Sequence, residues 1–260
     1  MDATTGFFHD DIDYKDIYTC AMYSRAVYDE ESTIKEKYGD GVAVFQVPNS
    51  QVQFMIVKDT QAERQWVVVR GTKNYKNAFV DGRIKIIKEP RLGMYIHGGF
   101  LRSAQEIHEK IIPHIDRKQE IRFTGHSLGG AVALILAAFF HQEAEGYNVG
   151  RTITFGQPMI TDRNGVKRLN KYDILRVVNH WDPVAILPLI LSRTHFELVP
   201  TIFYHHVGYQ LTLFDQHPPK LTPPARLIRL LIGYRRLIAN HFMDLYLERL
   251  QSHIGLPDSI

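Results

Sequence analysis

The sequence feature that most limits what this chain can fold into is the pentapeptide Gly-His-Ser-Leu-Gly at residues 125–129, which has the form G-x-S-x-G. A short β-forming run precedes it at 121–124, and a long apolar run typical of a helix follows at 131–140. Strand, glycine turn and helix in this order predict a nucleophile elbow, with Ser127 raised on a sharp turn at the strand end. The alternative is an ordinary strand-to-helix turn with a buried serine.

The composition is typical of a globular protein, with 45% hydrophobic and 23% charged residues in 260. The formal net charge of +3 gives no indication of nucleic-acid binding. Cys20 is the single cysteine, which excludes an intramolecular disulfide, and its partly apolar surroundings favour a small core residue over a reactive thiol.

Neither a membrane span nor a leader peptide is predicted. No run reaches the ~18 apolar residues that a transmembrane helix needs. The acidic first 16 residues lack the basic and apolar regions of a signal peptide. We therefore expect a cytoplasmic protein, or one secreted without a visible signal peptide, and peripheral attachment to a membrane is compatible with both.

Predicted strands and helices alternate along most of the chain. The helices are predicted at 13–29, 100–115, 131–140 and 162–171, and the strands at 42–47, 52–57, 66–70, 121–124, 152–155 and 174–178. The first two strands read as a hairpin, and the remainder indicates a largely parallel sheet covered by helices on both faces. We find no repeat and no linker, so we predict one α/β domain over residues 1–260. After Asp182 prolines interrupt the pattern, and a helix is expected from about residue 225.

A serine nucleophile needs a general base and a carboxylate that orients the base. Asp182 follows the strand at 174–178, and the carboxyl ends of parallel strands are where sites lie in open α/β sheets. Asp182 also precedes a proline, a pair that is common in turns. Asp162 can be a helix N-cap instead, and Asp173 stands before its strand rather than after it.

Eight histidines follow Ser127 in the chain. Position alone does not separate His206, His217 and His241 as the base. The clustering of these histidines also raises the possibility of a metal site, but no H-E-x-x-H or Cys/His ligand spacing is present.

Eight short segments carry a resemblance to a known family. They are VVRGT at 68–72, NAFVD at 77–81, IHGGF at 96–100, GHSLGG at 125–130, FGQP at 155–158, NHWDPV at 179–184, YHHVG at 204–208 and HFMDLYL at 241–247. In this order they resemble the motifs of the class 3 lipases, the fungal and plant lipase-like branch of the α/β-hydrolases. The sequence departs from the family at Ala78-Phe79, where tryptophan is usual, and in the spacing after Asp182.

The resemblance implies a role for each candidate residue. Ser127 becomes the nucleophile, Asp182 the acid and His241 the base. The backbone N–H of Leu128 and the N–H and hydroxyl of Thr72 become the oxyanion-hole donors. No cofactor or metal is implied.

Two further histidines are expected to be structural. The resemblance places His206 in a structural motif. His126, beside the nucleophile, is expected to point away from it and to serve in packing and hydrogen bonding.

The resemblance implies an α/β-hydrolase fold and a serine carboxylic-ester hydrolase, a lipase or carboxylesterase acting on acylglycerol-type esters. Its expected partner is an ester lipid at a lipid–water interface, and the oligomeric state is left open. The alternatives are a phospholipase or galactolipase with the same triad, and a catalytically silent lipase-like interaction module.

Two segments have the composition of lipid-contacting elements. Residues 73–80 are expected to form the family's lid, although an ordinary surface loop fits them too. Residues 226–238 form a basic amphipathic pattern, which suits either an anionic lipid surface or, as we favour, a helix packed on the core with a solvated arginine face.

Overall fold

The computed structural model describes residues 12–71, 86–143, 146–186, 204–214 and 238–254. Its helices are α1 (Tyr14–Ala26), α2 (Glu31–Tyr38), α3 (Gly98–Ile111), α4 (Leu128–Gln142), α5 (Arg163–Leu169) and α6 (Met243–Ile254). Its strands are β1 (Val42–Gln46), β2 (Gln53–Asp59), β3 (Arg64–Val69), β4 (Ile86–Glu89), β5 (Met94–His97), β6 (Glu120–His126), β7 (Thr152–Phe155), β8 (Ile174–Asn179) and β9 (Tyr209–Leu213). Among these residues no helix is both long and apolar enough to cross a membrane.

Seven of these strands form one mixed sheet in the order β1-β2-β3-β6-β7-β8-β9. The first three pair antiparallel, and the pairs from β3 to β9 are all parallel. The predicted hairpin and the largely parallel sheet are therefore confirmed. Strands β4 and β5 form a separate two-stranded sheet.

Alternate side chains of the central strands enter two apolar cores, one on each face of the sheet. In β3, Val67 and Val69 join the core built with α3 and α4, whereas Trp66 and Val68 join the core built with α1 and α6. Helix α4 is apolar all round because it lies between the sheet and α3, and its residues from Gly129 to Phe140 are buried.

Several predicted elements agree with the structure, and others need correction. Asp13 caps α1 by accepting the backbone N–H groups of Lys15 and Asp16, but α1 ends at Ala26 and not at residue 29. Cys20 is buried in the α1 core, and burial raises the pKa of its thiol, so it is the predicted packing residue. Sequence patterns missed α2, β4, β5 and β9. Most of the predicted helix from residue 225 lies outside the described residues.

Candidate functional site

The turn between β6 and α4 holds Ser127 in a conformation that non-glycine residues rarely adopt, with φ 60° and ψ −131°. The backbone N–H of Ser127 donates to the Phe155 carbonyl of β7 at 2.8 Å. Its own carbonyl accepts the N–H of Gly130, which starts the helix. Hydrogen bonds at both ends of the residue therefore hold the strained turn in place.

Glycine is required on both sides of Ser127 because main chain lies directly against each position. A Cβ at Gly125 would lie 2.6 Å from the carbonyl carbon of Gly129 and 2.7 Å from the Val69 oxygen. A Cβ at Gly129 would lie 2.7 Å from the carbonyl carbon of Arg70. These contacts are with backbone, which cannot swing away as a side chain could.

The structure brings together the three residues that the sequence predicts as nucleophile, base and acid. Ser127 Oγ lies 2.9 Å from His241 Nε2. His241 Nδ1 lies 3.0 Å from both carboxylate oxygens of Asp182. All three residues are almost completely buried, with 1–3% of their surface exposed. The chain of contacts has the order that base-assisted nucleophilic attack by a serine requires.

Donors from two further groups surround the Asp182 carboxylate. The backbone N–H of Val184 donates to Oδ1 at 2.9 Å, and the hydroxyl of Tyr246 donates to Oδ2 at 2.6 Å. The same hydroxyl accepts the backbone N–H of Asn179 at 3.0 Å. Burial and the nearby carboxylate raise the pKa of Tyr246, so it remains a donor, and the buried negative charge has several hydrogen bonds.

His241 lies in the turn just before α6. Side chains from the sheet hold this turn at two consecutive carbonyls. Asn179 Nδ2 donates to the Asn240 oxygen at 3.0 Å, and His126 Nε2 lies 2.6 Å from the His241 oxygen. His126 is buried and hydrogen-bonded, as the sequence predicted, and burial lowers its pKa well below the usual value.

Of the two residues predicted to supply oxyanion-hole donors, the structure describes only Leu128. Leu128 is the first residue of α4, so its backbone N–H has no acceptor within the helix. Thr72 lies outside the described residues. Gly71 before it is packed against the nucleophile: a Cβ there would lie 2.7 Å from the His126 oxygen and 3.3 Å from Ser127 Cβ. The chain therefore passes Ser127 immediately before it reaches Thr72.

Two of the competing acids, Asp162 and Asp173, have structural contacts of their own. Asp162 caps α5 by accepting the Gly165 N–H at 2.8 Å, and Asp173 pairs with Arg151 at 2.9 Å. Neither side chain contacts a histidine in these interactions, whereas Asp182 does.

Among the described residues, the competing histidine His206 has a structural contact. His206 contacts the Ala185 carbonyl, and burial lowers its pKa to about 3. His217 lies outside the described residues. Within the described part of the chain, no three His, Cys, Asp or Glu residues are grouped closely enough to hold a metal.

For three residues that lie near the site, the sequence patterns predicted no role. Tyr246 belongs to the segment HFMDLYL at 241–247, and Asn179 is the first residue of the segment NHWDPV at 179–184. Both segments are among those that resemble the class 3 lipases. Tyr28, whose hydroxyl lies 3.0 Å from His126 Nδ1, follows α1 and carries no local signal that connects it with the elbow.

Comparison with known proteins supports the fold and shows a similarity to lipases. A solved triacylglycerol lipase, in which a serine protease triad forms the catalytic centre, superposes with a TM-score of 0.64 at 20% identity over 77% of this chain and 80% of the other. At that identity the likeness establishes the α/β-hydrolase fold, as predicted. The lipase of Rhizomucor miehei is 27% identical over 176 residues, 63% of this chain and 46% of that protein. The chloroplastic phospholipase A1 PLIP2 of Arabidopsis thaliana is 26% identical over 121 residues, 43% of this chain and 17% of that protein.

The fold defines the class: a protein with the α/β-hydrolase fold. The family model described as "Lipase (class 3)" matches residues 66–192. This central region is therefore similar to the class 3 lipases, which confirms the resemblance. The chain spans less than half the length of both curated relatives.

Proposed function

We propose that this protein is a serine carboxylic-ester hydrolase in which Ser127 is the nucleophile, His241 the general base and Asp182 the orienting acid. The observation that carries the proposal is the buried chain of contacts, 2.9 Å from Ser127 to His241 and 3.0 Å from His241 to Asp182. A serine hydroxyl becomes an effective nucleophile when such a base removes its proton.

In the proposed reaction Ser127 Oγ attacks the ester carbonyl while its proton passes to His241 Nε2. Asp182 fixes the tautomer of the base and stabilises the imidazolium that forms. The imidazolium then protonates the departing alcohol, and water hydrolyses the acyl-enzyme by the same steps. The N–H of Leu128, together with the N–H and hydroxyl of Thr72, stabilises the developing oxyanion, each donor by about 3 kcal/mol.

Acylglycerol-type esters are the proposed substrates. The Rhizomucor miehei relative is a lipase, and the fold is that of a triacylglycerol lipase. A phospholipid substrate is the second candidate, because the Arabidopsis relative is a phospholipase A1. A catalytically silent module is disfavoured because it would have no need of a buried, hydrogen-bonded Ser127–His241–Asp182 arrangement.

Hydrolysis of p-nitrophenyl butyrate by wild-type protein and by Ser127→Ala tests the reaction. The proposal expects turnover by the wild type and its loss in the variant, with the unfolding midpoint unchanged. Ser103→Ala is the matched control, since Ser103 is a buried serine that donates to the Gly99 carbonyl within α3. Equal turnover by Ser127→Ala and Ser103→Ala would reject the assignment of the nucleophile.

Rates of hydrolysis of dispersed lipids distinguish acylglycerols from phospholipids as substrates. Rates on tributyrin and on phosphatidylcholine, each measured below and above the solubility or aggregation limit, report both head-group preference and interfacial activation. Faster hydrolysis of tributyrin supports the acylglycerol proposal, and faster hydrolysis of phosphatidylcholine supports the second candidate. The predicted lid at 73–80 and the segment at 226–237 lie outside the described residues. An abrupt rise in rate at the solubility or aggregation limit would indicate that a lipid surface increases access to the site.

A further inference from the structure

His126, the residue before the proposed nucleophile, lies between two elements that are distant in the sequence. Its Nε2 lies 2.6 Å from the main-chain oxygen of His241, and its Nδ1 lies 3.0 Å from the Tyr28 hydroxyl. The rings of His126 and His241 are 4.5 Å apart. The proposed mechanism uses neither His126 nor Tyr28.

The chemistry of its two neighbours fixes the proton on His126. A carbonyl oxygen only accepts hydrogen bonds, so the nitrogen that faces His241 must carry the hydrogen. The Tyr28 hydroxyl then donates to the bare Nδ1, and burial keeps Tyr28 protonated by raising its pKa. A second proton on His126 is opposed by burial and by the neighbouring His241, which both lower its pKa.

His241 requires the opposite tautomer. Its Nδ1 faces the Asp182 carboxylate and must donate, which leaves Nε2 bare to accept the Ser127 hydroxyl. The two adjacent rings, which are tilted by 35° to each other, therefore carry these protons on different nitrogens: His126 on Nε2 and His241 on Nδ1.

We propose that His126 is a positioning residue for the base: it holds the His241 backbone with an Nε2–H donor, and Tyr28 locks it in that tautomer. The proposal rests on the proposed ester hydrolysis, because a base needs a fixed position only if it acts. The His241 carbonyl and side chain belong to one residue, so a shift of that carbonyl displaces Nε2 from Ser127 Oγ. Displacements of about 1 Å in an active site cost on the order of a hundredfold in rate.

Tyr28 extends the same support to the strand end beside the nucleophile. The space that a side chain at Gly71 would occupy is filled by the Tyr28 hydroxyl and the His126 carbonyl. Tyr28 therefore contacts both His126 and the strand end that leads to Thr72, the second proposed oxyanion donor. We expect loss of this hydroxyl to disturb both, though less than loss of the His126 donor.

Kinetics of three variants test the positioning role on p-nitrophenyl butyrate. His126→Leu removes the donor, and we expect kcat per folded molecule to fall ~30-fold with KM nearly unchanged. His126→Gln keeps an amide N–H near the position of Nε2, and we expect most of kcat to return. Tyr28→Phe removes one hydroxyl and should reduce kcat about threefold. A kcat of His126→Leu within twofold of wild type, or equal losses in the Leu and Gln variants, would overturn the proposal.

Nitrogen-15 NMR of histidine-labelled wild-type protein tests the inference without a measurement of activity. In wild type at pH 7 we expect His126 to be protonated at Nε2 alone and His241 at Nδ1 alone, with signals assigned by their loss in His126→Gln and His241→Gln. Protonation of His126 at Nδ1 would overturn the inference. Because this result does not depend on turnover, it separates failure of the positioning role from failure of the proposed hydrolysis, which Ser127→Ala tests.

Discussion

The elbow that carries Ser127 and the turn that carries His241 hold their reactive side chains by different means. Ser127 is fixed by its own backbone, through a strained φ and glycines packed on neighbouring main chain. His241 is fixed by side chains from far along the sequence, with His126 and Asn179 bonded to consecutive carbonyls of its turn. We therefore expect substitutions in the elbow to prevent folding. Substitutions that break the contacts of the His241 turn should lower activity before they lower stability.

The largest effect is expected from Gly129→Ala. The new methyl would collide with the main chain of Val69, Arg70 and Gly71, so strand β3 and helix α4 could not pack together. We expect a loss of several kcal/mol of folding free energy, measured by urea unfolding, or no folded protein at all. Gly146→Ala is the control: its position is open although its φ is +65°, so about 1 kcal/mol should be lost. Equal losses in the two variants would contradict the packing argument for the elbow.

Asp182→Asn should leave the fold intact and lower kcat about 10⁴-fold, because an amide can turn its N–H group toward His241 and favour the wrong tautomer. The matched control is Asp162→Asn, which replaces another buried aspartate by a residue that caps helices equally well. Its kcat and unfolding midpoint should remain close to wild type. Comparable activity of the two variants would remove Asp182 from the mechanism.

Protonation of two partly buried histidines outside the elbow should lower the stability of the protein in acid. Burial lowers the pKa of His97 from 6.5 to about 4 and that of His206 to about 3. The unfolded chain therefore binds more protons than the native protein below pH 6.5, and stability falls as pH falls through this window. Urea unfolding at pH 7 and at pH 5 should differ by about 2 kcal/mol for each of these histidines.

His97 offers a variant that isolates its part of this pH dependence. Its Nδ1 accepts the Gly99 N–H and caps α3, so protonation would remove the cap. His97→Asn keeps a capping side chain without a titrating group, and the loss of stability between pH 7 and pH 5 should become smaller by about 2 kcal/mol. An unchanged pH dependence would show that His97 is not held neutral.

A smaller effect is expected from Tyr246→Phe. The substitution removes one donor to Asp182 and leaves the Asn179 N–H without its acceptor, so kcat should fall about tenfold. Tyr204→Phe is the control because the Tyr204 hydroxyl is buried with no hydrogen-bond partner in the described part of the chain. Removal of that hydroxyl should leave kcat unchanged. Similar kcat values for the two variants would mean that Tyr246 only packs.

The same contrast explains which features could be predicted from the sequence. The elbow was predictable because strand, glycine turn and apolar helix are adjacent in the chain. Asp182 could be favoured by its place after a strand, but His241 was separated from other histidines only by the family resemblance. The contacts of Tyr28, Asn179 and Tyr246 join residues 98, 61 and 64 positions apart, a proximity that no local pattern encodes.

The elements that sequence patterns missed are short or weakly amphipathic. Strands β4 and β5 have four residues each, too few to show a period. Helix α2 buries one residue, Ile34, so its apolar stripe is almost absent. Strand β9 lies at the edge of the sheet and buries only one of its five residues, so its sequence shows no clear alternation, and its position depends on pairing with β8.

Covalent labelling with a fluorophosphonate tests the central claim most directly, because only a serine activated by a base reacts rapidly with this reagent. Mass spectrometry of the intact protein and of its peptides gives both the number of adducts and their position. We predict one adduct on Ser127, formed more slowly in Asp182→Asn and absent in Ser127→Ala. Folded wild-type protein that stays unlabelled, or an adduct on another serine, would contradict this prediction.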